Sequence, residues 1–267
     1  MQIVESLSAL WQRRRGDAAA VAVIAAFFTL MFAPEIFGGK YVLAGDPLYY
    51  SYPLRSVGWG MIRGGQLPLW TPLVLSGYPL LSMSQLAFAY PLTWGYLFLD
   101  APHAEQLYVL APFLLSPIFT YAYARETGRS RTAAILAGLA YAYGGATTGL
   151  LGVVGFHTNA MMWLPLMLVF IERAHGATTV RRLASCFAAA SCAYALSVLT
   201  GYAQGFVFNA LVAVAYGGFV SLFVGGRAAE GVAGGAPPWS NWRRWRAALV
   251  ACGAVALGAG VGAFQIL

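Results

Sequence analysis

An aspartate held between a glycine and a proline, followed within one short helix by two arginines, is the strongest chemical signal in this sequence. It reads Gly45-Asp46-Pro47, with Arg55 and Arg63 downstream. A positioned carboxylate can accept the proton of an attacking hydroxyl, which contributes about 10²–10⁴ in rate. The planar fork of arginine suits a phosphate, bound or departing. A turn or helix-capping aspartate is the structural alternative at such a step, and the residue types leave both readings open. Trp70, Gln85 and Tyr90 share the same stretch of chain, together with Tyr78. They are candidates for stacking on or hydrogen-bonding to a ligand, although aromatic belts at membrane surfaces supply Trp and Tyr in any case. Farther along, His157 and the Gly201-Tyr202-Ala203-Gln204 stretch offer polar groups between apolar runs. For His157 an interfacial structural role competes with ligand binding.

The rest of the composition says what must hold these groups. Only 9% of the 267 residues are charged and 60% are hydrophobic, against about 25% charged in a soluble domain. A soluble chain of this length could not hide that much apolar surface in one core. Apolar runs at about 18–37, 106–124, 132–150, 157–172, 183–200, 203–224 and 247–267 predict seven spans. Each is close to the length needed to cross about 30 Å of hydrocarbon. The first run is too long for a signal peptide, whose apolar region is about 7–15 residues. The predicted class is an all-α polytopic membrane protein with one long loop, residues 39–105, between its first two spans.

The net charge of +7 does not point to nucleic acid, because the basic residues form short clusters between apolar runs. With the N-terminus in the cytoplasm, thirteen arginines fall on that side and only Lys40, Arg55 and Arg63 on the other. This asymmetry predicts a multi-pass bacterial inner-membrane protein with a cytoplasmic N-terminus and an extracytoplasmic long loop. Segment 225–242 is predicted to be a flexible cytoplasmic linker, being rich in Gly, Ala and Pro. Cys186, Cys192 and Cys252 lie inside apolar runs and read as small buried residues. The chain reads as a single membrane module, 1–267. Its abrupt end at Gln265-Ile266-Leu267 predicts the N-terminal part of a longer protein.

Within the long loop, Pro53 can open a helix and Gly64-Gly65 can close it. Leu54, Val57, Met61 and Ile62 fall on one face of that helix and Arg55, Trp59 and Arg63 on another. This predicts an interfacial helix with its apolar face in the bilayer and two guanidiniums at headgroup level. Leu86 to Leu99, interrupted by Pro91, reads as a second interfacial or dipping segment. No metal is expected, since Glu35, Asp100 and Glu105 could join Asp46 only if the loop folds back.

The order Gly45-Asp46-Pro47, Tyr52-Pro53, Gly64-Gly65-Gln66-Leu67-Pro68-Leu69-Trp70-Thr71-Pro72, Gly77-Tyr78-Pro79-Leu80, Gln85 and Tyr90-Pro91-Leu92 resembles the first loop of YfhO-like bacterial membrane proteins. His157 with Trp163-Leu164-Pro165, and the Gly201–Gln204 stretch, resemble later segments of that family. Thr71 departs from the asparagine usual at its position. The family is similar to the GT-C membrane glycosyltransferases. The resemblance therefore implies a module of about seven spans and sugar transfer from a polyprenyl-phosphate donor to an envelope glycan or lipid acceptor. It implies Asp46 as base and Arg55 or Arg63 at the phosphate; a divalent cation is left open. Two other classes stay in view, a lipid-linked-glycan flippase and a non-catalytic membrane scaffold. No ionisable residue sits at mid-span, which argues against an ion-coupled transporter. The topology has a direct test. In a chain stripped of its native cysteines, Asp46→Cys is expected to react with an impermeant maleimide applied to intact cells. Protection until the membrane is opened would place the carboxylate on the wrong side.

Overall fold

The computed structural model describes residues 2–149, 151, 155–224 and 242–266. Among these the chain is all-helical, and four helices are long and apolar enough to cross a membrane: Ala101–Glu126, Val180–Leu199, Ala203–Val224 and Arg246–Ala263. At 1.5 Å per residue they reach about 27–39 Å, comparable with a bilayer core of about 30 Å. In chain order the helices are α1 (Gln2–Met31), α2 (Ala33–Phe37), α3 (Tyr52–Arg63), α4 (Ala101–Glu126), α5 (Arg131–Tyr143) and α6 (Gly145–Thr148). They continue with α7 (Gly155–Met161), α8 (Trp163–His175), α9 (Val180–Leu199), α10 (Ala203–Phe219, prolonged by a wider turn to Val224) and α11 (Arg246–Ile266). Three of the seven apolar runs are thus carried by broken helices, with interruptions at Phe32, Gly144 and Met162. Apart from Trp242, the expected linker 225–242 lies outside the described residues.

The bundle is built from close helix pairs: α4 against α5 and α8, and α9 against α8 and α11. Small side chains make that approach possible. The largest core joins Met167, Ile171 and Ala174 of α8 to Ala190, Ala193 and Val198 of α9 and Ala247, Ala251 and Ala254 of α11. Cys186 belongs to this core. Cys192 and Cys252 are exposed on the outer faces of α9 and α11, which corrects the expectation that all three cysteines are buried. On an apolar helix the outward face is as short of polar groups as the inward one, so the sequence pattern does not separate them.

Prolines inside these helices pose a specific problem, because each lacks the N–H that would pair with the carbonyl four residues earlier. Side chains from neighbouring helices supply the missing donors. Pro117 leaves the Phe113 carbonyl open, and the Tyr143 hydroxyl donates to it at 2.9 Å. Pro112 leaves the Tyr108 carbonyl, which accepts from Asn159 Nδ2 at 2.9 Å. Pro165 leaves Met161, whose carbonyl accepts from the Tyr141 hydroxyl at 2.8 Å. In a membrane interior, where water cannot substitute, such repair is required of any tolerated proline. A further polar node joins three helices: Asn209 Nδ2 donates to the Ala160 carbonyl at 2.8 Å and to Ser197 Oγ at 2.9 Å.

Asp17, Glu126, Glu172 and the arginines around them gather at one end of the bundle. Asp17 accepts from Arg131 and from Tyr121, Arg173 donates to Glu126 at 2.8 Å, and Tyr216 donates to Glu172 at 2.7 Å. Arg244 and Arg246 cap carbonyls of Ser221, Leu222 and Ala177 at the same end. The long loop closes the other end.

Tyr143→Phe removes the donor to the Phe113 carbonyl and is expected to cost about 1–3 kcal/mol of stability, the penalty for an unpaired buried acceptor. Adding Pro117→Ala restores a backbone N–H and should recover part of that loss. Thermal unfolding of the purified chain in detergent measures both, and a purely additive double variant would break the link between the two residues.

Candidate functional site in the long loop

The loop between α2 and α4 is a packed unit with a core of its own. Leu54 and Trp59 of α3 are buried with Leu80, Leu86, Phe88, Tyr96 and Ala104, and Val57, Met61 and Ile62 lie half-buried against them. This overturns the expectation that the apolar face of α3 lies in the bilayer: it faces the loop's own core. The boundaries of α3 follow the sequence signals, with Pro53 in its first turn and Gly64 as its C-cap. The stretch from Leu86 to Leu99 does not form a continuous interfacial helix. It contains a short tight helix at Pro91–Leu97, with Phe88, Tyr90 and Tyr96 buried. Thr71 and Tyr78 form an isolated antiparallel bridge.

At the centre stands Arg55, fully buried. Its Nη1 donates to both carboxylate oxygens of Glu105, at 2.8 and 3.0 Å. Its Nε donates to the Leu86 carbonyl at 3.1 Å and its Nη2 to the Gln85 carbonyl at 3.0 Å. The guanidinium lies 3.9 Å from the centre of the Tyr108 ring, close enough for a cation–π attraction. Burial by itself would lower the pKa of Arg55, but the Glu105 carboxylate together with the nearby Tyr108 and Tyr96 hydroxyls outweighs it, and the net direction is upward. The Tyr96 hydroxyl completes the pair by donating to Glu105 at 2.7 Å, and burial, then Glu105, push its pKa up, so it stays a donor. The expectation that Arg55 faces headgroups is therefore corrected: all three nitrogens are engaged inside the protein, and none is turned to a ligand.

Arg63 is exposed. Its Nε donates to the Tyr96 carbonyl at 2.7 Å and its Nη2 to the Leu99 carbonyl at 2.9 Å. It closes the end of the short helix, and among the described residues Nη1 has no hydrogen-bond partner. Tyr90 is fully buried; its hydroxyl accepts from Trp163 Nε1 at 3.2 Å, and its ring meets Tyr108 edge-on. No face of it is open for stacking. Trp70 keeps 55% of its surface exposed while its ring lies against Gly77.

The structure brings three other predicted residues to one place. Ser84 Oγ donates to the Gly201 carbonyl at 3.2 Å, so the Gln85 segment sits on the α9–α10 turn. Gly201 has φ +70°, and any Cβ there would collide with the Ser84 backbone. Beside it, the Tyr202 hydroxyl donates to Gln204 at 2.6 Å, and the His157 ring stands edge-on to Tyr202 at 5.3 Å. His157 also lines a cavity of about 160 Å³ with Ser116, Tyr141 and Thr147.

Asp46 is exposed. Gly45 reaches it in the left-handed region, φ +53°, and Pro47 starts a wide helical turn, Pro47–Ser51, that runs into α3. The Asp46 side chain makes no capping hydrogen bond. Among the described residues the helix-cap alternative is thus not realised, and the carboxylate stays open to solvent. Four residues on, the Tyr50 hydroxyl meets that of Tyr78 at 3.1 Å; burial, then this contact, raise the pKa of Tyr50. The loop does fold back, but Glu105 turns to Arg55 and Asp100 to His103, so neither joins Asp46.

No family model, curated protein or solved structure matches this chain.

Sequence reasoning missed Tyr96, Tyr108 and Gln106 as residues that fix the loop, and it considered Glu105 only as a companion of Asp46. The Gln106 amide donates to the carbonyls of Glu35 and Lys40 and accepts from the Val42 N–H. For Glu105, Gln106 and Tyr108 the one sequence signal was polarity at the start of an otherwise apolar helix; Tyr96 had none. Removing one member of the buried pair, with Arg55→Met or Glu105→Leu, is expected to cost about 3–5 kcal/mol. Arg55→Met with Glu105→Leu should cost much less than the sum. Thermal unfolding of the three variants measures the coupling, and strict additivity would show that the pair does not act as a unit.

Proposed function

We propose that this chain is the membrane module of a glycosyltransferase that moves a sugar from a polyprenyl-phosphate donor to an envelope glycan or lipid acceptor. The exposed, uncapped Asp46 carboxylate carries this reading, since it stands at the surface of a loop whose frame is held by buried bonds. The acceptor oxygen attacks the anomeric carbon and a new glycosidic C–O bond forms. The bond from that carbon to the phosphate oxygen breaks, its electron pair leaves with the polyprenyl phosphate, and the acceptor proton passes to Asp46. Arg63, with one nitrogen uncommitted, is the arginine suited to the departing phosphate. The open ring of Trp70 offers a surface for a sugar or prenyl chain. The reading also places the chain in a bacterial inner membrane with seven crossings, three of them through broken helices, and a cytoplasmic N-terminus. The four long apolar helices and the gathering of arginines at the end away from the loop support that orientation.

The test is transfer in membranes containing the chain, with a panel of labelled polyprenyl-phosphate hexoses. Asp46→Asn is expected to lower transfer about 10²–10⁴-fold at unchanged abundance, because an exposed carboxylate without a hydrogen bond contributes little to folding. Equal transfer by the variant would refute Asp46 as base, and no transfer by the unaltered chain from any donor would refute the reading as a whole.

A further inference from the structure

We infer that the bundle end opposite the loop holds a binding site for an anionic phospholipid, in the cavity between the C-terminal turns of α4 and α8 and the first turns of α9. The cavity encloses about 570 Å³, room for a phosphate with its glycerol. Arg173, Arg182 and Ser185 line it together with Glu126, Phe170 and Ala189. Two guanidiniums face one carboxylate, so the site carries a positive excess. The carboxylate is already engaged: Glu126 Oε2 accepts from Arg173 Nε at 2.8 Å. That bond leaves both Nη groups of Arg173 for another acceptor, and the guanidinium carbon lies 5.9 Å from the centre of the Phe170 ring.

Arg182 is exposed, and among the described residues it forms no ion pair. It sits in the first turn of α9, whose N-terminal N–H groups add to the positive field. Thr179 caps that turn by accepting from the Arg182 N–H at 3.2 Å. Ala189 lies seven residues deeper along α9, about 10 Å at 1.5 Å per residue. The cavity therefore changes from cationic at its rim to apolar along its wall, on a helix long and apolar enough to cross a membrane. A soluble anion would use only the rim. A phospholipid uses both parts, with its phosphate on the two arginines and its acyl chain along Phe170 and Ala189. Basic pockets between membrane helices bind anionic headgroups in this way. The site lies about 30 Å along α4 from Glu105, and so is separate from the loop and independent of what Asp46 does.

Native mass spectrometry of the detergent-purified chain, titrated with phosphatidylglycerol or with phosphatidylcholine of the same acyl chains, tests this directly. Phosphatidylglycerol is expected to bind several-fold more tightly. Arg182→Gln should weaken it about fivefold and leave phosphatidylcholine unaffected. Arg129→Gln removes an equal charge from the neighbouring cavity and should change neither. Equal weakening by both variants, or none by Arg182→Gln, overturns the site. Displacement of the bound lipid by an equal concentration of sn-glycerol 3-phosphate would overturn the lipid assignment, because the headgroup alone would then suffice.

Discussion

A guanidinium cannot be taken out of water unless its charge and its N–H groups are met, and the long loop is organised around that requirement. Arg55 comes from α3, Glu105 from the start of α4, and the Gln85 and Leu86 carbonyls from the segment between them. One side chain thus joins two parts of the loop and ties them to α4 of the helical bundle. Tyr96 and Tyr108 close the remaining sides, one by a hydrogen bond and one by its ring. Buried ion pairs add little net stability compared with a hydrophobic replacement. What this one contributes is geometry, since the donors of Arg55 are met in only one arrangement of the loop.

The bundle beneath obeys the same accounting at the level of the backbone. Pro112 and Pro117 of α4 and Pro165 at the start of α8 each leave the carbonyl four residues earlier without a backbone donor, and a tyrosine or asparagine of a neighbouring helix takes it up. These bonds bind α4 to α5 and to α7, and α5 to α7, in a region where small side chains give little directional specificity. Prolines and donors together therefore fix which helices meet, and at what height.

Much of the helical frame was legible in the sequence. The four long helices coincide with apolar runs, and the limits of α3 with Pro53 and Gly64, because length, hydropathy and capping are local properties. Facing is a tertiary property, and there the reading failed. The stripe Arg55-Trp59-Arg63 was assigned to the membrane surface because charged residues normally point to solvent. The partner that reverses this for Arg55 lies 50 residues away, and no spacing rule connects them. Tyr90 was read as a stacking surface and proves to be a core residue for the same reason: its type was visible, its neighbours were not. Asp46 shows the opposite case. Its exposure suits its place between Gly45 and Pro47, but that its side chain caps no helix among the described residues is a property of the fold.

The docking of Ser84 on Gly201 ties the loop to the far half of the bundle. With no side chain at Gly201, the two backbones touch directly, so there is no flexible spacer to absorb movement. The loop and the α9–α10 corner form a rigid coupling, like two plates riveted at one point. A displacement of the segment that carries Ser84 therefore bears directly on the turn between α9 and α10, with no side chain between them to yield.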